Sequence, residues 1–217
     1  MVELAELQIA DAGVDEGIKK LTPQRIEQVI NRVLTEECAA RLQVYLQTCV
    51  RCGLCAEACQ SYISRDKDPD YAPVAKVKNT IWEMVRRKGK VDGEFLRNAA
   101  RIAYIDCGAC RRCSMYCPFG IDISYLIMTV RRILNLLGVV PQYLQDTTNS
   151  HAVTMNQMWV QQDDWIDTLM WQEEDARAEL AGTRIPLDRE GADIMYSVIG
   201  PEPKFRAQLI ANMAIIF

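Results

Sequence analysis

A chain of 217 residues, 49% apolar and 25% charged, has the make-up of a globular protein with one sizeable core or a smaller core plus an appended module. Apolar stretches such as Tyr125–Met128 and Met213–Phe217 fall far short of the roughly 20 residues of a membrane helix, so no membrane span is expected. The formal charge of −4 argues against nucleic acid as a partner, and the basic runs Arg86-Arg87-Lys88, Arg111-Arg112 and Arg131-Arg132 read as solvated faces or partner contacts.

Residues 1–21 are acidic and turn-prone, with Gly13 and Gly17, and read as an N-terminal arm. Glu3 and Glu6 stand where a secretory signal would carry bases, so the reducing cytoplasm is the expected location. Thr22-Pro23 is a helix start, a capping residue followed by proline. Behind it Ile26, Val29, Ile30, Val33, Leu34, Cys38, Leu42 and Tyr45 recur at helical spacing, which makes Cys38 a core residue.

The first cysteine run follows, Cys49-x2-Cys52-x2-Cys55-x3-Cys59. Residues 60–106 then form a helical insert. Val74, Val77, Ile81, Met84 and Val85 make one stripe, with Lys76, Lys78, Arg86 and Lys88 off it and Gly89 as a stop. A second helix over Glu94–Tyr104 buries Phe95, Leu96, Ala99, Ile102 and Ala103. The second run, Cys107-x2-Cys110-x2-Cys113-x3-Cys117, leads directly into Pro118. Asp122 then caps a helix through Leu137 that ends at Gly138.

Residues 22–140 thus read as one helical domain, and 141–217 as an extension. Residues 141–161 are polar and poorly periodic, and His151 reads as a surface or satisfied loop residue. Asp163–Ala181 reads as an acidic helix with Trp165, Leu169, Ala176 and Leu180 as contacts. Ala192–Ile199 reads as a strand, followed by a final helix from Glu202 to Phe217. A lone strand leaves its ladder unpaired and Ala214-Ile215-Ile216-Phe217 leaves apolar side chains uncovered, so this strand–helix tail is expected to dock on a partner.

Eight of the nine cysteines therefore share one spacing used twice. A thiolate at every third position lets a loop wrap a four-iron cube and offer three sulfurs to it, and in two-cluster ferredoxins the fourth cysteine ligates the other cluster. That assigns one [4Fe–4S] cluster to Cys49, Cys52, Cys55 and Cys117, and the other to Cys107, Cys110, Cys113 and Cys59. Zinc sites pair their ligands across a longer arm, and disulfides need an oxidising compartment. Two such sites move the net charge from −4 to about −8, since each adds about −2. Arg111 and Arg112 lie in the second loop and Pro118 closes it, while Arg51 in the first loop is offset by Glu57. Cations near a cluster favour its reduced form, so the second cluster is expected to have the higher potential. Gly53 and Gly108 allow tight wrapping around iron. The sequence holds no nucleophile–base pair or dinucleotide fingerprint, so no catalytic residues are assigned and an electron relay is the expected role. A ferredoxin-like scaffold or interaction subunit remains the alternative.

The cysteine runs, the helical insert, Cys117-Pro118-Phe119-Gly120-Ile121-Asp122-Ile123 and the tail Ile194-Met195-Tyr196…Glu202-Pro203-Lys204-Phe205 resemble the C-type iron–sulfur chain of heterodisulfide reductases and their sulfur-oxidation relatives. The longer 141–190 segment tilts the likeness to the sulfur-oxidation type over the methanogenic one. Glycolate oxidase iron–sulfur subunits share the layout at their start. The resemblance implies a mainly α fold: an α-helical ferredoxin domain with two [4Fe–4S] clusters plus a C-terminal strand–helix docking tail. It also implies two partners acting on disulfide, thiol or sulfur substrates: the family's B-type catalytic chain, built of CCG domains, and its A-type chain, which contains flavin. Gln60 after Cys59, where the family has proline, is a departure that bears on the local turn. Iron–sulfur subunits of succinate dehydrogenase fit less well, because the C-x4-C-x2-C run of their additional [2Fe–2S] domain is absent.

Overall fold

The computed structural model describes residues 11–217, and the chain divides after Gln142 into two compact units. The first ten residues of the expected arm lie outside the described residues. The rest of that arm is a helix, α1 (Ala12–Lys19), capped by Asp11, whose carboxylate accepts the Val14 amide at 3.0 Å. The two glycines that suggested turns are packing residues instead. Gly13, Val14 and Gly17 form the buried face, and a Cβ on Gly17 would collide with the Gly138 carbonyl and stand 3.2 Å from Val139 Cα.

Thr22 caps α2 (Pro23–Arg32) at 3.3 Å from the Arg25 amide, with Pro23 in the first turn as expected. The stripe runs on through a π-helical turn (Val33–Glu37) and a break at Cys38 into α3 (Ala39–Thr48), burying Ile26 through Leu42 and Leu46. Cys38 is buried in the core. The insert contains α4 (Gln60–Ile63), α5 (Pro73–Val77), a second π turn (Lys78–Trp82), α6 (Glu83–Arg86), α7 (Gly93–Ala100) and a third π turn (Arg101–Ile105). Gly89 stops α6 at φ +78°, its amide reaching Met84 O at 2.9 Å.

After α8 (Arg112–Met115), α9 (Ile123–Leu137) forms the axis of the first unit and buries Leu126, Ile127, Val130, Ile133 and Leu134 almost completely. Against it pack α2, α5, α7, α8 and the second and third π turns. Burying each such aliphatic side chain stabilises the fold by about 1.5–3 kcal/mol, which outweighs any single cap or surface ion pair here. Gly138 ends α9 in the left-handed conformation at φ +74°.

The second unit is also helical. Residues 142–154, expected to be irregular, form α10 (Gln142–Thr154), with exposed His151 on it. Its end is tied by side chains: Asn156 accepts the Met158 and Val160 amides at 3.0 and 3.1 Å and donates to the Thr154 and Val160 carbonyls at 2.8 and 2.7 Å. In α11 (Gln162–Glu179), Leu169 and Ala176 are buried as expected, but Leu180 is exposed and the polar Gln172 and Glu173 are buried. Residues 192–199 are irregular, and there is no strand among the described residues: nothing supplies a ladder partner. The expected last helix is two, α12 (Pro201–Phe205) and α13 (Ala207–Ile216), broken at Arg206, and α13 packs on α11 through Ile210 and Ala211. No single helix among the described residues is long and apolar enough to cross a membrane.

Candidate iron–sulfur centre

Both cysteine loops bend in the same way. Two and four residues after the leading cysteine the backbone turns left-handed, at Arg51 and Gly53 (φ +58° and +82°) and at Ala109 and Arg111 (φ +52° and +64°). Only one of these four positions is glycine, so three carry the strain of a side chain in that region, about 1–2 kcal/mol each. The second cysteine of each run, Cys52 and Cys110, is exposed, while the other thiols of the runs are buried or half-buried. A Cβ added at Gly53 or Gly108 would meet nothing within 4 Å, so space is open beside each loop.

The thiols gather across the two runs. Burial pushes the Cys55 thiol up to about 11; the Val74 backbone offsets part of this, and Cys49, Cys52 and Cys117 push it further the same way. Burial likewise raises Cys113 to about 11, with Cys107, Cys55 and Cys59 adding to it. Such thiols hold their protons until a cation displaces them, which couples metal loading to proton release. Cys59, Cys107, Cys110 and Cys113 line one cavity of about 340 Å³. Among the described residues no three ligating side chains converge on a point suited to a single metal ion. Thiols set around a shared space are what a four-iron cube asks for, since each sulfur meets a different corner. The donor set, the cavity and the open loop faces all fit that group.

Lys76 lines the same cavity and is 3% exposed. Its Nζ donates to the Asp106 carbonyl at 2.5 Å and stands 3.7 Å from Cys59 Sγ. Ser61 Oγ donates to the same carbonyl at 2.7 Å. The Asp106 carboxylate is held elsewhere, by Arg101 at 2.8 Å and Arg65 at 3.8 Å.

A family model described as a 4Fe-4S dicluster domain matches residues 45–121, the span of both loops. The Hdr-like menaquinol oxidoreductase iron-sulfur subunit 2 of Archaeoglobus fulgidus is 32% identical over 130 residues, 54% of this chain and 23% of that one. The Hdr-like menaquinol oxidoreductase iron-sulfur subunit of Archaeoglobus profundus is 30% identical over 129 residues, with the same coverage. Over the matched residues the chain is similar to the iron–sulfur subunits of Hdr-like oxidoreductases. It spans about a quarter of the length of these curated relatives, at 23% each. The succinate dehydrogenase iron-sulfur subunit of Bacillus subtilis is 32% identical over 92 residues, 42% of this chain and 36% of its own length. No solved structure matches the chain.

Around the two cysteine loops, the arginines are more engaged than their sequence suggests. Arg111 is paired with Asp122 at 2.7 Å, so its charge does not stand alone. Arg112 is exposed and lines the cavity. Arg51 lies over the Trp82 ring at 5.0 Å, and the expected offset by Glu57 is not seen: Glu57 reaches Lys67 at 4.0 Å. Pro118 is exposed and sits in a turn closed by the Gly120 amide on Cys117 O at 3.1 Å. Where the first run has Gln60 in place of proline, α4 begins at that residue.

Two basic residues read as solvated or partner-facing are structural. Arg131 Nε donates to Ala103 O at 2.8 Å and its Nη2 to Cys107 O at 2.6 Å, fixing the entry of the second loop. Arg132 pairs with Glu37 at 2.5 Å. Asp122 does more than cap α9. Its Oδ1 accepts the Tyr125 amide at 3.1 Å and the Ser114 hydroxyl at 2.9 Å, joining α8 to α9 beneath the second loop. Burial works to raise the Asp122 pKa, but these two donors and Arg111 together hold it below the usual carboxylate range. Lys76 escaped the sequence reading because it looks like an off-stripe lysine. No sequence signal marked it: Thr80, one turn on, is fully buried and bonds Lys76 O at 2.6 Å, which only the fold shows.

Proposed function

We propose that this chain is the electron-relay iron–sulfur subunit of an Hdr-like oxidoreductase, carrying two [4Fe–4S] clusters with exchanged fourth ligands. One set is Cys49, Cys52, Cys55 and Cys117; the other is Cys107, Cys110, Cys113 and Cys59. The observation that supports the exchange is the grouping of thiols: Cys117 among the neighbours of Cys55, and Cys59 in one cavity with Cys107, Cys110 and Cys113. Clusters of this kind supply one-electron transfer. The chain's own part is to hold them, screen them from water with α5 and α9, and set their potentials.

In this reading the relay runs between a flavin-bearing partner and a CCG-domain partner that acts on disulfide, thiol or sulfur substrates, in the cytoplasm. The exposed Met195, Ile199, Phe205, Ile216 and Phe217 in the second unit suit a partner surface. The relatives' name, menaquinol oxidoreductase, adds a quinol as a candidate electron source for the assembly.

Anaerobic purification followed by iron and sulfide analysis and EPR tests the reading. About eight irons per chain and two reducible signals are expected. Cys117→Ser should perturb the signal also perturbed by Cys52→Ser, and Cys59→Ser the one perturbed by Cys110→Ser. About four irons, or Cys59→Ser tracking with Cys52→Ser, would overturn the exchanged ligand sets.

A further inference from the structure

We infer that Lys76 is the charge that sets the second cluster's reduction potential above that of the first, acting through Cys59; the inference rests on the two-cluster reading above. Three observations carry it. Lys76 is 3% exposed, yet among the described residues no carboxylate pairs with its ammonium group. Its two partners are the Asp106 carbonyl at 2.5 Å and Cys59 Sγ at 3.7 Å. Asp106, whose carbonyl it meets, already shares its carboxylate with Arg101 and Arg65.

A buried ammonium ion is costly unless an opposite charge faces it. Here the face of Lys76 that is free of protein carboxylates points into the cavity lined by Cys59, Cys107, Cys110 and Cys113. Four thiolates around an oxidised four-iron core carry about −2, which is the missing counter-charge. Among the described residues the first loop shows no equivalent: Arg51 is exposed and lies over Trp82. Of the two arginines the sequence suggested for this role, Arg111 is offset by Asp122, and Arg112 lines the cavity but is exposed, where solvent screens its charge.

When a titrant delivers one electron to the cluster held through Cys59, one negative charge is added and no bond is made or broken. The Lys76 ammonium lies beside that charge in a water-poor wall and stabilises the reduced form. Its N–H directed at Cys59 Sγ also withdraws density from the sulfur, which raises the potential in the same sense. Lys76 is thus a positioning residue for charge, and takes no part in bond chemistry.

The experiment is an anaerobic redox titration of the whole protein followed by EPR, with the two signals assigned by Cys52→Ser and Cys110→Ser. Lys76→Met and Lys76→Gln should lower the reduction equilibrium constant of the Cys110-assigned cluster by at least about tenfold, a fall of about 59 mV for a one-electron couple, and leave the other unmoved. Lys76→Arg should restore most of the shift. If Lys76→Met cannot hold that cluster while Lys76→Arg can, the need for a cation there is shown directly. An unmoved midpoint, an equal shift of both, or loss of the cluster in Lys76→Arg as well would overturn the inference. Wild-type protein with no clusters, or with fewer than two, would instead sink the reading it rests on.

Discussion

Asp122 joins helix capping to the second loop, and its removal has a calculable cost. In Asp122→Ala, the Tyr125 amide loses its acceptor at 3.1 Å, worth about 1 kcal/mol as a helix cap. The Ser114 hydroxyl loses its acceptor at 2.9 Å, again about 1 kcal/mol in a part-buried place. The Arg111 pair adds only about 0.5 kcal/mol, since the arginine is 66% exposed and solvent screens it. The sum is about 2.5 kcal/mol, or about 8 °C of thermal midpoint for a unit of this size. Asp122→Asn keeps both acceptor roles and loses only the ionic part, so about 2 °C is expected. Anaerobic thermal scans at one heating rate, following near-UV ellipticity and the visible iron–sulfur absorbance, measure both. Equal losses for the two variants, or less than about 2 °C for Asp122→Ala, would refute the reasoning.

The same carboxylate gives a pH signature. Its folded pKa lies below the ordinary value of about 3.9, so its contribution is complete above that pH and is lost as pH falls through the lower folded value. The stability gap between wild type and Asp122→Asn should be flat above about pH 5 and close below about pH 4 in urea titrations. Gly17→Ala should destabilise the first unit by about 1–3 kcal/mol by forcing α1 off Gly138, seen as a lower urea midpoint and faster proteolysis at α1. Arg131→Lys cannot serve the Ala103 and Cys107 carbonyls together, so iron content should fall in the cluster assigned by Cys110→Ser and stay constant in the other. In the second unit, Asn156→Ala strands the Met158 and Val160 amides and should cost about 2 kcal/mol by chemical denaturation.

Local chemistry was readable from the residues alone. Thr22-Pro23, Asp122, Gly89 and Gly138 begin or end their helices where capping rules place them, because each rule concerns atoms within one turn. Tertiary effects were not. Gly17 carries no sign in sequence that another backbone presses on it. Val85, placed on the apolar stripe, is 41% exposed although its neighbour Met84 on the same stripe is fully buried. The strand expected over residues 192–199 rested on composition, and composition cannot supply a neighbouring strand. At the centre itself, the thiols were found by spacing, whereas Lys76 and Arg131 gain their roles only when residues far apart in sequence meet.

The two arginines held in left-handed backbone have a further consequence. Arg51 is stacked on Trp82 and Arg111 is tied to Asp122, so each disfavoured bend is pinned by its own side chain to a neighbouring helix or its cap. Glycine at those positions would relieve the torsion but cut the tether. Each bend is therefore braced by a long lever anchored outside its loop, so the torsion there is supported by the surrounding helices as well as by anything the thiols hold.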